Sequence, residues 1–286
     1  MIVRFVAVVL LSFFAQPALA ATPDKVLRNV AYGPDKLQAM DVYLPAESNV
    51  TAKAAPVILM VHGGAWRFGD KRHPPVFENK VARWVPKGFI FVSVNYPMVP
   101  ESDPVEQADD IARALAAVQA AAPGWGGDPA RVILMGHSAG AHLVTLLNAD
   151  LSRATKLGAK PWLGTVSLDS GALDVPAIMT HRHAKLYDEA FGDDPVLWEA
   201  SSPIHHLTKD GPPWLGVCSS NRRSSCDTNR VYATRSKELG TRAETLGEPL
   251  THGEINAELG KPGAYTDAVE AFMASLDPSV AALLGR

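Results

Sequence analysis

Among the residues that could do chemistry, Ser138 has the most telling surroundings. It lies in Gly136-His137-Ser138-Ala139-Gly140, after the apolar run 132–135 and before the apolar stretch 141–147. A serine with glycine two residues away on either side, between a buried strand and a helix, has the form of a nucleophile elbow. Side chains at the flanking positions would clash in so sharp a turn. The following helix aims its first N–H groups at the serine, where an oxyanion would develop. A serine hydroxyl needs a neutral imidazole to take its proton and a carboxylate to hold that imidazole's tautomer. His252, in Thr251-His252-Gly253, is the one histidine after the last expected strand, and it is the expected base. Asp227 is the expected carboxylate, because it follows the strand that ends at Cys218 and precedes a helix expected from Asn229. Asp169 and Asp174 also follow a strand, but an earlier one. A second glycine turn, His62-Gly63-Gly64-Ala65-Trp66, ends the apolar run 56–61. Its Gly64 and Ala65 N–H groups, with that of Ala139, are expected to form an oxyanion hole.

The elements that must position these groups alternate along the chain. Residues 26–31 and 37–44 read as a hairpin about the turn Gly33-Pro34-Asp35-Lys36. Continuous apolar runs at 56–61, 89–94, 132–135, 163–168 and 213–218 read as strands buried on both faces. Between them fall helices at 77–85 and 103–121, the second with Asp109 and Asp110 expected on its exposed side, and later ones at 229–239 and 265–276. The pattern predicts one doubly wound α/β domain of mostly parallel sheet over residues 21–286. An irregular segment, about 175–200, reads as a small helical cap. Trp66 and Trp198 are expected to line an aromatic wall of the pocket. His181, His183, His205 and His206 have no acidic or cysteine partner at ligand spacing, so no metal is expected.

Composition narrows the function classes. The 286 residues are 47% hydrophobic and 20% charged, with a formal net charge of −3. That balance lacks the basic stripe that nucleic-acid binding needs. Past the N-terminus no apolar run is long enough to cross a bilayer, so no stable membrane association is expected. Residues 1–20 read as a secretory signal: a charge at Arg4, an apolar run over 5–14, then Pro17 and Ala18-Leu19-Ala20 as a small-x-small cleavage site. A secreted or periplasmic chain starting at Ala21 is the expectation. In such a compartment Cys218 and Cys226 are expected to form a disulfide.

The motifs His62-Gly63-Gly64-Ala65-Trp66 and Gly136-His137-Ser138-Ala139-Gly140, with Asp227 and His252, resemble the α/β-hydrolase superfamily. The similarity is to its carboxylesterase branch, that of hormone-sensitive lipase and kynurenine formamidase. Ser201-Ser202-Pro203-Ile204 and Pro212-Pro213 resemble that branch as well. The resemblance implies an α/β-hydrolase fold and hydrolysis of small-molecule carboxylic esters through an acyl-enzyme, without cofactor or metal. Short acyl groups are expected, because the cap carries Asp188, Glu189, Asp193 and Asp194 and offers no broad apolar face to a lipid. Two other functions fit less well: an arylformamidase, disfavoured by export, and a non-catalytic hydrolase-like binding protein, disfavoured by the complete set of serine, acid and histidine.

Overall fold

A computed structural model of the chain describes residues 25–46 and 54–286. The expected export signal lies outside them. Eight strands form one sheet: β1 (Lys25–Ala31), β2 (Ala39–Leu44), β3 (Ala55–Val61), β4 (Ile90–Val94), β5 (Gly127–His137), β6 (Gly164–Leu168), β7 (Trp214–Ser219) and β8 (Ala243–Glu248). Their order across the sheet is β1-β2-β4-β3-β5-β6-β7-β8. The β1–β2 hairpin is antiparallel, as is the β2–β4 pair, and every later pair is parallel.

The apolar runs are strands because both faces of this sheet are covered. Along β3, Val57, Leu59 and Val61 enter one core and Ile58 and Met60 the other. The first core is filled by α2 (Pro104–Ala121) and α3 (Ala139–Ala149). The second is filled by α1 (Pro74–Trp84), α10 (Ala264–Ala274) and α11 (Pro278–Leu284). The remaining helices are α4 (Leu151–Lys156), the three short helices α5 (Val175–Met179), α6 (Lys185–Phe191) and α7 (Pro195–Ala200) between β6 and β7, then α8 (Arg223–Glu238) and α9 (His252–Ala257).

Two expectations about helices need correction. Asp110 does not face solvent on α2. It is buried, accepting hydrogen bonds from Gln38 Nε2 at 2.8 Å and Arg113 Nη1 at 2.7 Å. The helix expected from Asn229 starts at Arg223, so Asp227 lies inside α8 rather than in a loop before it. No helix among the described residues is long and apolar enough to cross a membrane.

Candidate active site

The chain leaves β5 at His137 and enters α3 at Ala139, so Ser138 takes the whole turn, with φ +56° and ψ −117°. A side chain at that φ is held only where its surroundings fix it. The flanking glycines make the turn possible by close approach. A Cβ on Gly136 would stand 2.3 Å from the Gly140 carbonyl oxygen, and one on Gly140 would stand 2.3 Å from that of Val61. Ser138 N–H donates to Leu168 O at 2.9 Å, which fastens the elbow to the end of β6.

His252 is the first residue of α9, where Thr251 and Glu254 cap each other. Its Nε2 lies 3.0 Å from Ser138 Oγ. Its Nδ1 lies 2.6 Å from Oδ2 of Asp169, the residue that follows β6. Asp169 itself has φ +55°, a second strained position next to the first. Its Oδ1 accepts the Ser219 N–H at 2.9 Å and the Ser225 hydroxyl at 2.7 Å, and Arg222 Nη1 lies 2.6 Å from its Oδ2. Burial works to push this carboxyl up. The hydrogen bonds from His252, Ser219 and Ser225, with the Arg222 cation, outweigh it and hold the group well below the usual carboxylate range. Asp169 is therefore an anion in the fold.

Asp227, the carboxylate expected to partner His252, is not at the site. It is exposed on α8, paired with Arg230 at 2.8 Å and Arg223 at 3.6 Å. The physical reason is the early start of α8, whose first turn points residue 227 outward and turns Ser225 and Arg222 in toward Asp169. Cys218 and Cys226 are joined in a disulfide. The bridge links the end of β7 to the first turn of α8 and encloses the segment that cradles Asp169. Asp169 was recognisable in one respect: it follows its apolar strand without any intervening loop.

The Gly63–Ala65 backbone and Ser138 line one open cleft of about 1090 Å³, together with Phe68, His73, Pro74, Val76, Leu186 and Asn256. Trp66 is not part of its wall. Trp66 is buried, donating Nε1–H to His142 Nδ1 at 3.1 Å and packing on Phe191 at 4.8 Å between ring centres. Its ring anchors the glycine loop to α3 and α6. Trp198 is also outside the cleft, half-buried with Nε1–H on Gly192 O at 3.1 Å. Two exposed apolar side chains of the cleft, Phe68 and Leu186, carry no motif that would single them out.

His137 packs its ring 4.6 Å from that of His252 and donates Nε2–H to the His252 carbonyl at 2.9 Å. Desolvation, then the neighbouring His252, pushes His137 down to about 3, so it stays neutral. Lys80, buried on α1, donates to Asn256 O at 2.6 Å and Oδ1 at 3.0 Å and ties α9 to the opposite wall of the cleft. His183 pairs with Asp188, and His205 with Glu199 and Asp174. No cluster of metal-ligating side chains occurs among the described residues.

Sheet order, elbow, glycine loop and the Ser138–His252–Asp169 line together define an α/β-hydrolase. Residues 40–222, well over half of the chain, match the BD-FAE family, and the chain belongs to it. The matched span contains Ser138 and Asp169 and ends before His252. Over 199 residues the chain is 29% identical to Esterase LipQ of Mycobacterium tuberculosis, an alignment spanning 65% of this chain and 47% of LipQ. Over 280 residues it is 27% identical to the isoprenylcysteine alpha-carbonyl methylesterase ICME of Arabidopsis thaliana, spanning 88% of this chain and 62% of that protein. The chain thus spans about half the length of several curated relatives that it matches. A truncated carbohydrate esterase from gut microbiota superposes with a TM-score of 0.73 at 19% identity, covering 91% of this chain and 98% of that one. Esterase Est2 of the planctomycete Thermogutta terrifontis superposes at 0.69 and 20% identity, covering 88% and 92%. At such identities the superpositions speak for the fold.

Proposed function

We propose that the chain is a serine carboxylesterase acting on small-molecule esters through an acyl-enzyme. The observation that carries the reading is the unbroken line from Ser138 Oγ through His252 to Asp169, with spacings of 3.0 and 2.6 Å, opening on a cleft. Ser138 attacks the ester carbonyl while His252 Nε2 takes its proton. Asp169 keeps the other proton on Nδ1 and stabilises the imidazolium as it forms. The N–H groups of Gly64, Ala65 and Ala139 receive the oxyanion. His252 then protonates the departing alkoxide, and water repeats the sequence on the acyl-enzyme. The names of the relatives, an esterase and a methylesterase, support ester cleavage. Short acyl groups fit the charged segment 188–194, on the helical segment that also supplies Leu186 to the cleft, and the disulfide is in keeping with export after removal of residues 1–20.

The test is hydrolysis of p-nitrophenyl esters from acetyl to palmitoyl. Acetyl and butyryl should be turned over fastest. Ser138→Ala should lose on the order of 10⁴-fold or more in kcat while melting as the wild type does. More than a tenth of wild-type activity in Ser138→Ala would refute the assignment.

A further inference from the structure

Arg222 touches both Asp169 and His252, and the ester mechanism gives it no step of its own. Its Nη1 lies 2.6 Å from Asp169 Oδ2 and 2.7 Å from His252 Nδ1, while Nδ1 lies 2.6 Å from the same Oδ2. Three polar atoms thus share one corner. An arginine has only donors, so two arrangements of the imidazole proton compete there. With the proton on Nδ1, both His252 and Arg222 donate to Oδ2, and Nε2 is free to accept from Ser138. With the proton on Nε2, Arg222 donates to Nδ1 and the histidine can no longer act as base. A fixed cation against Nδ1 also opposes a second proton on the ring, and it offsets the Asp169 charge that would favour one.

We propose that Arg222 is a positioning residue that shares Asp169 with His252 and keeps the imidazole neutral, extending the enzyme's working range toward lower pH. The inference rests on the esterase reading above. The other groups around His252 leave this role to Arg222. His137, its ring tilted against that of His252, is held neutral by burial and by the neighbouring His252. Lys80 on α1 is buried behind Asn256 and pushed down by burial to about 7, its nitrogen bonded to the oxygens there and at Pro75. It is common to wild type and every Arg222 variant, so it does not shift the limb between them. Glu254, on the same short helix as His252, is exposed and turned back to Thr251. Tyr187 on α6 is neutral, pushed up by burial. Asp169 does not depend on Arg222 for its place, because Ser219 and Ser225 hold its other oxygen. The Arg222 side chain is 38% exposed, so solvent screens its effect and the expected shift is moderate.

The experiment measures kcat/KM for p-nitrophenyl acetate from pH 5 to 9 in wild type, Arg222→Met, Arg222→Gln and Arg222→Lys, with far-UV circular dichroism to verify the fold. In the Met and Gln variants the low-pH limb should move up by roughly half a unit to one unit, in the range one screened neighbouring charge produces. The Lys variant should return most of the shift, because it restores the charge without the fork. A residue that only props up the loop would lower kcat at every pH and leave the limb in place. An unmoved limb in folded Met and Gln variants overturns the proposal, provided Ser138→Ala is inactive in the same assay. Activity in Ser138→Ala would instead bring down the esterase reading itself.

Discussion

Asp169 and Asp227 offer the sharpest contrast between residues of one type. Both follow sheet strands, yet one is an anion fixed by several donors and the other is a solvated carboxylate among arginines. Asp169→Asn keeps the size of the group but can present its amide to Nδ1, which favours the wrong tautomer of His252. A loss on the order of 10⁴-fold in kcat is expected from that substitution. Asp227→Asn breaks only exposed ion pairs, worth roughly 0–1 kcal/mol, and should leave kcat within twofold of wild type. Equal damage from the two substitutions would overturn the assignment of the acid. Ser138 and His252 were legible in the sequence for different reasons. The glycines declare the elbow, and position after the last strand singles out the histidine. The Asp169 partner of His252 was not, because nothing at Arg222-Arg223-Ser224-Ser225 marks a helix start: Arg222 gives α8 no side-chain cap. Moving that start by six residues carries Asp227 from an expected loop onto an exposed helical face.

At the scale of elements, the junction of β7 and α8 is where this sheet departs most from what its pattern suggests. The alternation of strand and helix gave the sheet correctly, since apolar runs without a polar face must be covered on both sides. It could not say which strand end would carry the acid. That depends on the cradle formed by Ser219, Arg222 and Ser225, three residues whose types are ordinary for a loop. The Cys218–Cys226 bridge spans this cradle at its two ends. Closing so short a loop contributes about 2–3 kcal/mol by chain entropy, which for a chain of this size is roughly 5 °C in Tm. The effect on activity should be larger. Ser225 and Arg222 reach Asp169 only while the first turn of α8 is held against β7. Cys218→Ser/Cys226→Ser, or the reduced wild type, should lose at least about tenfold in kcat/KM, since misplacing a catalytic group by about 1 Å can cost 10²-fold. Paired activity and melting measurements test this. A loss of stability with activity unchanged would mean that the bridge fastens the fold and not the acid.

Over the whole molecule, two covered faces of one sheet leave polar side chains in places that water does not reach, and the histidines there make stability depend on pH. His62, 1% exposed, stacks on Tyr96 behind the glycine loop, and burial pushes it down to about 4. His142, fully buried on α3, is also pushed down to about 4 by burial. Its partners fix the neutral form: Nδ1 accepts from Trp66, and Nε2 donates to Ser201 O at 2.7 Å. A second proton would have to sit against the Trp66 N–H. In the unfolded chain an imidazole takes up its proton near 6.5. Above that pH both states are neutral and the two histidines make no difference between them. As pH falls from about 6.5 toward 4, the unfolded chain binds protons that the folded one refuses, so stability falls and then levels off. The full cost is on the order of 3 kcal/mol for each histidine. Carboxylates held low in the fold, Asp169 among them, act in a lower window that opens near 5 and extends downward. Melting temperature should therefore drop between pH 7.5 and 4.5, with most of the loss from low-held carboxylates coming below that interval. His142→Gln keeps a donor for Ser201 O but cannot take up a proton. This variant should be less stable than wild type at pH 7.5 yet lose less of its Tm on going to pH 4.5. Equal losses in the two proteins across that interval would show that His142 does not couple folding to pH.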